Sequence, residues 1–391
     1  MTRQPVRACA IRIGGRQRDG SSDGEPEMDR TLEMAKSRRA MLRATLAVGG
    51  VAAMQGAASA LLLAPSARAQ TGELSTLRAT AKSWLWAAED YASSRGMFER
   101  AGLRVRMAAT ERGVNQDALL AGATDILLGA PTQNMRVQIR RQPIKMICGM
   151  VNKYASNIVI KKELADRAGV TEASDPAAKG RALRGLRLGT TGVGAGPDQL
   201  IRYVMRLGGL DPDRDGQLVP VRGGGPAMLA AMQNNQLDGF CLSSPTSDLA
   251  VQRFGAVYLF NMSTNPPPAL ADYLYITASV TERTLREKGE LLTAYCKGVA
   301  MALEAIKKTP DDFKAWSKEW FTGMEDQLFE TSFVNNIDIY MATPVPTQRH
   351  FELNMEFLKD ELRLTNQPPP PESYAFGDAW DLRFVEAAMK A

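Results

Sequence analysis

A chain of 391 residues with 45% hydrophobic content is long enough for two domains with separate cores, which confines disorder to pieces of it. Its net charge of +5 is local, because residues 1–69 carry eleven Lys or Arg against six Asp or Glu, and residues 70–391 carry 37 of each. With no basic surplus left to neutralise phosphates, the main body is excluded as a DNA or RNA binder.

The opening residues are polar and glycine-rich and fit no element of a fold, and Met28 and Met34 are alternative starts. Next, Ser37-Arg38-Arg39-Ala40-Met41-Leu42-Arg43 precedes a weakly apolar run, Ala44 to Ala64, and a small-residue cleavage pattern, Ala67-Arg68-Ala69. This order resembles that of a twin-arginine export signal. The alternative is a transmembrane helix, since about twenty residues span a bilayer, but Gly, Ala, Ser and Gln make the run poorly hydrophobic. Cleavage before Gln70 leaves a soluble periplasmic protein of 322 residues, exported by the twin-arginine machinery. No cysteine stands at the cleavage point to carry a lipid.

From Thr76, short apolar runs alternate with helical stretches, the signature of parallel sheets flanked by helices. Strands are expected at "LRATAKS", "LRVRMAA", "DILLGA", "PIKMICGM" and "SNIVIKK", with helices at Glu89 to Arg100, Val114 to Ala121 and "TQNMRVQIRR" between them. A second unit repeats the rhythm: strands in "LRGLRLGTT", "GQLVPVR", "DGFCLSS" and "AVYLF", helices in "PDQLIRYVMRLGG", "PAMLAAMQNNQ" and "TSDLAVQRF". A proline-stiffened connection, "NMSTNPPPAL", then leads to "DYLYITAS", a strand returning to the first unit. Helices follow over Thr281 to Lys308 and Pro310 to Trp320, and "NQPPPPESY" precedes a last helix, Asp381 to Lys390.

One lobe is thus interrupted by another. The expected boundaries are 70–160 for the first part of lobe one, 161–265 for lobe two and 266–391 for the return and the C-terminal helices, with 1–69 as extension and signal. Crossings are expected near Asn157 to Lys162 and Asn261 to Tyr273. Such a pair of lobes can hinge on a ligand, and clefts at the carboxyl ends of parallel strands are where small molecules usually bind.

Cys148, Cys241 and Cys296 sit in apolar contexts that read as buried thiols, with one disulfide pair as an alternative. They are too far apart in sequence for a metal site, and the chain's single histidine, His350, is expected to be solvated on a polar helix. No metal or cofactor is expected.

The residues also resemble a family. A G-x-F-x-x-x-G-L element (Gly96-Met97-Phe98-Glu99-Arg100-Ala101-Gly102-Leu103) is followed by a small turn with proline (Gly129-Ala130-Pro131) and an L-x-G-x-x strand entry (Leu183-Arg184-Gly185-Leu186-Arg187). Asn235-Gln236-Leu237-Asp238-Gly239 then replaces G-x-x-D-A, departing in both the glycine and the alanine. Over residues 76–260 this order resembles the periplasmic substrate-binding proteins of ABC importers, in the subgroup for nitrate, sulfonates such as taurine, and thiamine-precursor pyrimidines. The resemblance implies a two-lobed type II periplasmic-binding-protein fold of the α/β class, each lobe a mostly parallel sheet flanked by helices, with a helical C-terminal region. It implies a monomeric receptor without catalysis, whose partners are a small-molecule ligand and an ABC permease and ATPase. Selectivity does not transfer with the scaffold.

Candidate binding residues lie after the strands. Thr190, Thr191, Gly192, Val193 and Gly194 follow a strand and precede a helix opening near Pro197, where free N–H groups favour a negative ligand atom; the plainer reading is a threonine-capped turn. A dinucleotide fingerprint is disfavoured by the Gly-x-Gly-x-Gly-Pro spacing, and a Walker loop by the missing Gly-Lys-Thr/Ser. Trp84 and Trp86, with period two, share a face that can stack on a planar ligand or pack in the core. Thr132 and Asn134 are donors or helix caps. Arg222 can grip a carboxylate or sulfonate or lie on the surface. Ser243, Ser244 and Thr246 bind ligand or cap a helix. The resulting expectation is a receptor for a small anionic or planar heterocyclic ligand. The alternatives are an enzyme on the same scaffold, of the pyrimidine or menaquinone-precursor type, and a periplasmic receptor serving a sensor.

Overall fold

The computed structural model describes residues 72–110 and 116–390. The export signal, its cleavage site and the start of the helix expected from Val114 lie outside the described residues. Among the described residues no helix is long and apolar enough to cross a membrane.

The first sheet is built from β1 (Gly72–Arg78), β2 (Leu103–Ala109), β3 (Ile126–Gly129) and β4 (Ile144–Val151), and the second from β5 (Asn157–Lys161), β6 (Arg187–Thr190), β7 (Gln217–Pro220), β8 (Gly239–Leu242) and β9 (Ala256–Phe260). β10 (Ile276–Thr281) returns to the first sheet. The strand orders are β2-β1-β3-β10-β4 and β7-β6-β8-β5-β9, the same pattern twice. In each sheet one strand runs against the rest, β10 against β3 and β4, and β5 against β8 and β9. Both are the strands that enter from the other lobe, so the crossings account for the antiparallel members of two mostly parallel sheets.

β5 pairs with β8 and β9, so the first crossing lies between Val151 and Asn157, ahead of the expected boundary at residue 160. Asn157 secures it. Its Oδ1 accepts the Met262 and Ser263 N–H groups (2.8 and 3.3 Å) and its Nδ2 donates to Ser247 Oγ (3.0 Å), tying both crossings to lobe two. Beside them Tyr154 and Tyr275 stack with centroids 4.3 Å apart, Tyr154 Oη donates to Gly196 O (2.6 Å), and Ser156 Oγ and Tyr275 Oη share a hydrogen bond (2.8 Å). A Cβ at Gly196 would lie 2.5 Å from Tyr275 Oη, so only glycine permits this approach.

Several elements are shorter or more broken than their patterns suggest. β1 stops at Arg78 instead of running to Ser83, because Arg78 turns into a buried carboxylate cluster. The helix expected over Glu89 to Arg100 is two, Ala87–Ser94 and Met97–Arg100, parted by Gly96 at φ +64°. That over Thr281 to Lys308 breaks at Lys288 into Glu282–Glu287 and Gly289–Lys308. The last helix begins at Arg383, two residues late.

Strands covered on both faces explain the long apolar runs. β4 has one residue, Lys145, that is not fully buried, and the helices Gly289–Lys308 and Arg383–Lys390 both pack on it. Each large side chain buried there contributes about 1.5–3 kcal/mol. Cys148 and Cys296 belong to this core and Cys241 to β8; all three are buried free thiols. His350 is buried too, correcting the expectation of a solvated side chain. It closes a capping box at the start of the helix Gln348–Leu364: Thr347 N–H donates to His350 Nδ1 (3.2 Å) and His350 N–H to Thr347 Oγ1 (3.3 Å).

Candidate functional site

In both lobes the loops after the parallel strands face one cleft. Ala79 to Ser83 follow β1, Gly129 ends β3 and Ala130 follows it, while Thr191 to Pro197 follow β6, Leu242 ends β8 and Ser243 to Thr246 follow it. The cleft holds two chambers. An inner one of about 60 Å³ lies among Thr80, Trp86, Ala130, Thr191, Gly196 and Tyr275. An outer one of about 580 Å³ is walled by Thr80 to Ser83, by Gly223 to Leu229 and Leu242 to Leu249 of lobe two, and by the C-terminal segment Phe321 to Leu328. Thr80, Leu242 and Ser243 border both. Near this border the lobes touch: Ser83 Oγ and Ser243 Oγ share a hydrogen bond (2.8 Å), and Ser83 Oγ donates to Ser244 O (3.2 Å).

The loop after β1 is held from behind. Arg78 Nη2 donates to Ala81 O (2.8 Å), and the guanidinium bonds both oxygens of Asp90 (2.6 and 3.0 Å) with Glu89 at 3.4 Å. Tyr295 Oη donates to Glu89 Oε1 (2.9 Å). Complete burial pushes the Glu89 carboxyl up to about 7, against the pull of Arg78. Burial likewise raises Asp90, opposed by its bond to Arg78.

The two expected tryptophans part company. Ser83 caps a single 3-10 turn, Trp84–Trp86, by accepting the Leu85 N–H. At three residues per turn, positions two apart point about 120° away from each other instead of sharing a face. Trp84 goes into an aromatic cage of Phe313, Phe321, Phe329 and Phe333, with Nε1 donating to Ser332 Oγ (2.6 Å). Trp86 borders the inner chamber, its Nε1 donating to Thr80 Oγ1 (3.0 Å).

The glycine turn forms a clasp between lobes. Gly194 O accepts from Gln133 Nε2 (3.2 Å) and Arg136 Nη1 (3.4 Å) of lobe one. Its N–H is taken by Asp198 Oδ2 (3.0 Å), an acid in the first turn of the helix Gly196–Leu207. Gly194 has φ +73° and a Cβ there would lie 2.8 Å from Arg136 Nη1. Thr132 Oγ1 donates to Gln199 Oε1 (3.1 Å), Gln199 Nε2 to Glu361 (2.8 Å), and Arg136 grips both Glu361 oxygens (2.6 and 2.7 Å). Sequence reasoning missed Arg136, Gln199 and Glu361, whose residue types and spacing gave no sign of meeting.

Of the other expected residues, Thr191, Ser243, Ser244 and Thr246 border the cleft. Asn134 is buried with Nδ2 on Ala130 O (3.3 Å), and Thr190 Oγ1 is buried with no partner among the described residues. Gly192 has φ +153°, Val193 is 80% exposed, and Arg222 is exposed just before the glycines that wall the outer chamber.

Two α/β lobes with a doubly crossed hinge and a cleft at the strand ends define the fold class of the periplasmic binding proteins. The chain belongs to the NMT1-like family, whose model matches residues 90–314. No curated protein matches it. Solved structures of the same fold include a protein from Bordetella bronchiseptica (14% identity, 81% of this chain and 97% of that one, TM-score 0.67). The alkanesulfonate-binding protein of Xanthomonas axonopodis matches at 13% identity over 79% and 98% of the two chains, with TM-score 0.61. The periplasmic nitrate-binding protein of Synechocystis matches at 16% identity over 81% and 88%, with TM-score 0.60.

Proposed function

We propose that this protein is an exported solute-binding receptor, which captures a small anionic or planar heterocyclic ligand between its lobes and delivers it to an ABC permease and ATPase. The observation that carries the reading is the chamber of about 580 Å³ walled by strand-end loops of both lobes, within the ~300–1,000 Å³ of sites that enclose drug-sized molecules. A ligand there touches both lobes at once, so its binding energy favours the closed arrangement that a membrane partner can recognise. Ser243, Ser244 and Thr246 are the expected residues placed to contact it, with Trp86 and Thr191 in the adjoining inner space.

The test is a thermal-shift screen of purified protein against sulfonates, nitrate, aromatic carboxylates and pyrimidines, followed by calorimetry on the compounds that respond. A ligand at a hundredfold its Kd adds about 2.7 kcal/mol to native stability, a readily measured rise in Tm. A wide screen that raises no Tm, together with chemical turnover of any compound, overturns the receptor reading.

A further inference from the structure

Resting on that receptor reading, we infer that the ligand occupies the outer chamber, with the C-terminal segment Phe321 to Leu328 as a third wall, and that it is an organic monoanion with an apolar body. Three observations lead there. The first is room. At about 60 Å³ the inner chamber takes only a few heavy atoms, since one water needs roughly 10–15 Å³ by the same measure, whereas the outer chamber is about 580 Å³.

The second is the lining. Leu229 and Leu249 of lobe two face the outer chamber together with Phe321, Met324 and Leu328 of the C-terminal segment. A bare inorganic anion would leave this surface dry and unfilled, while an aryl or alkyl body covers it and gains about 25 cal/mol per Å² buried. A strongly hydrated zwitterion gains nothing from it and loses its water.

The third is charge. Three charged side chains border the chamber, Lys82, Arg253 and Glu325. Arg253 and Glu325 pair with each other across lobe two and the C-terminal segment, which leaves Lys82. Its ammonium donates to Trp320 O, lies 5.8 Å from the Trp320 ring and makes no ion pair within 4 Å among the described residues; the carboxylate its charge reaches, Asp90, is already held by Arg78. Beside it, Thr80 Oγ1 accepts from Trp86 Nε1, which leaves its O–H to serve as a donor. One cation and one hydroxyl donor on a single loop suit one negative end, and the rest of the chamber suits an apolar remainder.

The experiment is calorimetric titration with four probes, 4-phenylbutyrate, octanoate, nitrate and taurine, against the unaltered protein, Lys82→Gln, Met324→Glu and Lys162→Gln. Circular dichroism establishes that each variant is folded. The first two probes are expected to bind and the last two to fail. Lys82→Gln and Met324→Glu should each weaken binding about tenfold or more, the first through the anionic end and the second by placing a carboxylate on the apolar wall. Lys162→Gln removes an exposed lysine that borders neither chamber and should bind as the unaltered protein does. Unchanged binding in Met324→Glu overturns the outer-chamber assignment; if Met324→Glu does not fold, unchanged binding in Lys82→Gln overturns the anionic-end assignment. Binding of nitrate or taurine in place of the two amphipathic anions, or silence from all four, overturns the ligand class. In each case the receptor reading stands or falls separately, on the wide screen.

Discussion

Glu361→Leu should be among the most damaging single changes to this protein, although Glu361 lies near the C-terminus. Its carboxylate accepts two bonds from Arg136 of lobe one (2.6 and 2.7 Å) and one from Gln199 of lobe two (2.8 Å). The side chains of Arg136 and Glu361 are only 18% and 12% exposed. Without the carboxylate, Arg136 keeps Gly194 O at 3.4 Å and Gln199 Nε2 loses its acceptor. Breaking a buried pair by removing one partner costs about 3–5 kcal/mol; residual solvent access places this case near the lower end, about 3 kcal/mol. The pair Lys162–Asp166, at 2.7 Å but 64% and 60% exposed, should contribute less than about 1 kcal/mol. Guanidinium chloride unfolding, followed by circular dichroism and tryptophan fluorescence, measures both. The double variant Arg136→Met, Glu361→Leu should recover much of the loss, since it leaves no unpaired charge. A loss below about 1 kcal/mol for Glu361→Leu, or a double variant costing the sum of its singles, refutes the clasp.

Two further outcomes follow from buried groups. Trp84→Ala empties the cage of Phe313, Phe321, Phe329 and Phe333 and should cost about 3–5 kcal/mol; a denaturation midpoint equal to that of the unaltered protein would sink the core assignment. Glu89 is raised in the folded protein from 4.5 to about 7, so the native state holds a proton that the unfolded chain releases. Stability from this group is therefore full below pH ~4.5 and falls by about 3 kcal/mol as pH rises to ~7. Glu89→Gln should flatten that slope in urea titrations across the window, and equal slopes in both proteins would count against it.

The fold was legible where a single physical cause shapes the pattern. "LRVRMAA" coincides with β2, and the apolar runs of β3 and β4 reflect strands covered on both faces. Pro310 opens a helix that runs to Trp320, as read. The failures have local causes that a periodicity does not carry. Gly96 at φ +64° halts a helix whose pattern continues past it, and β1 ends where Arg78 meets Asp90 and Glu89, residues that follow in the next helix. The cleft itself was legible because parallel strands must present their carboxyl-end loops on one side. Which side chains face it was not, since Trp84 and Trp86 were given strand geometry and occupy a 3-10 turn.

The glycine turn shows most clearly how a sequence signal and a site diverge. A strand, a run of glycines and a helix start together suggest free N–H groups awaiting an anion. Here the helix supplies its own anion. Asp198, in its first turn, accepts the Gly194 N–H and pairs with Arg202 Nε (2.9 Å), so an approaching anionic ligand meets a carboxylate. The glycines instead free the Gly194 carbonyl to meet Gln133 and Arg136 of the other lobe. That makes the Gly194 carbonyl a lobe contact, and the larger chamber of the cleft opens on Lys82 and the C-terminal segment. The deciding residue was visible in "GTTGVGAGPD" all along: an acid two positions into a helix weakens the case for an anion at its N-terminus, whatever the glycines before it suggest.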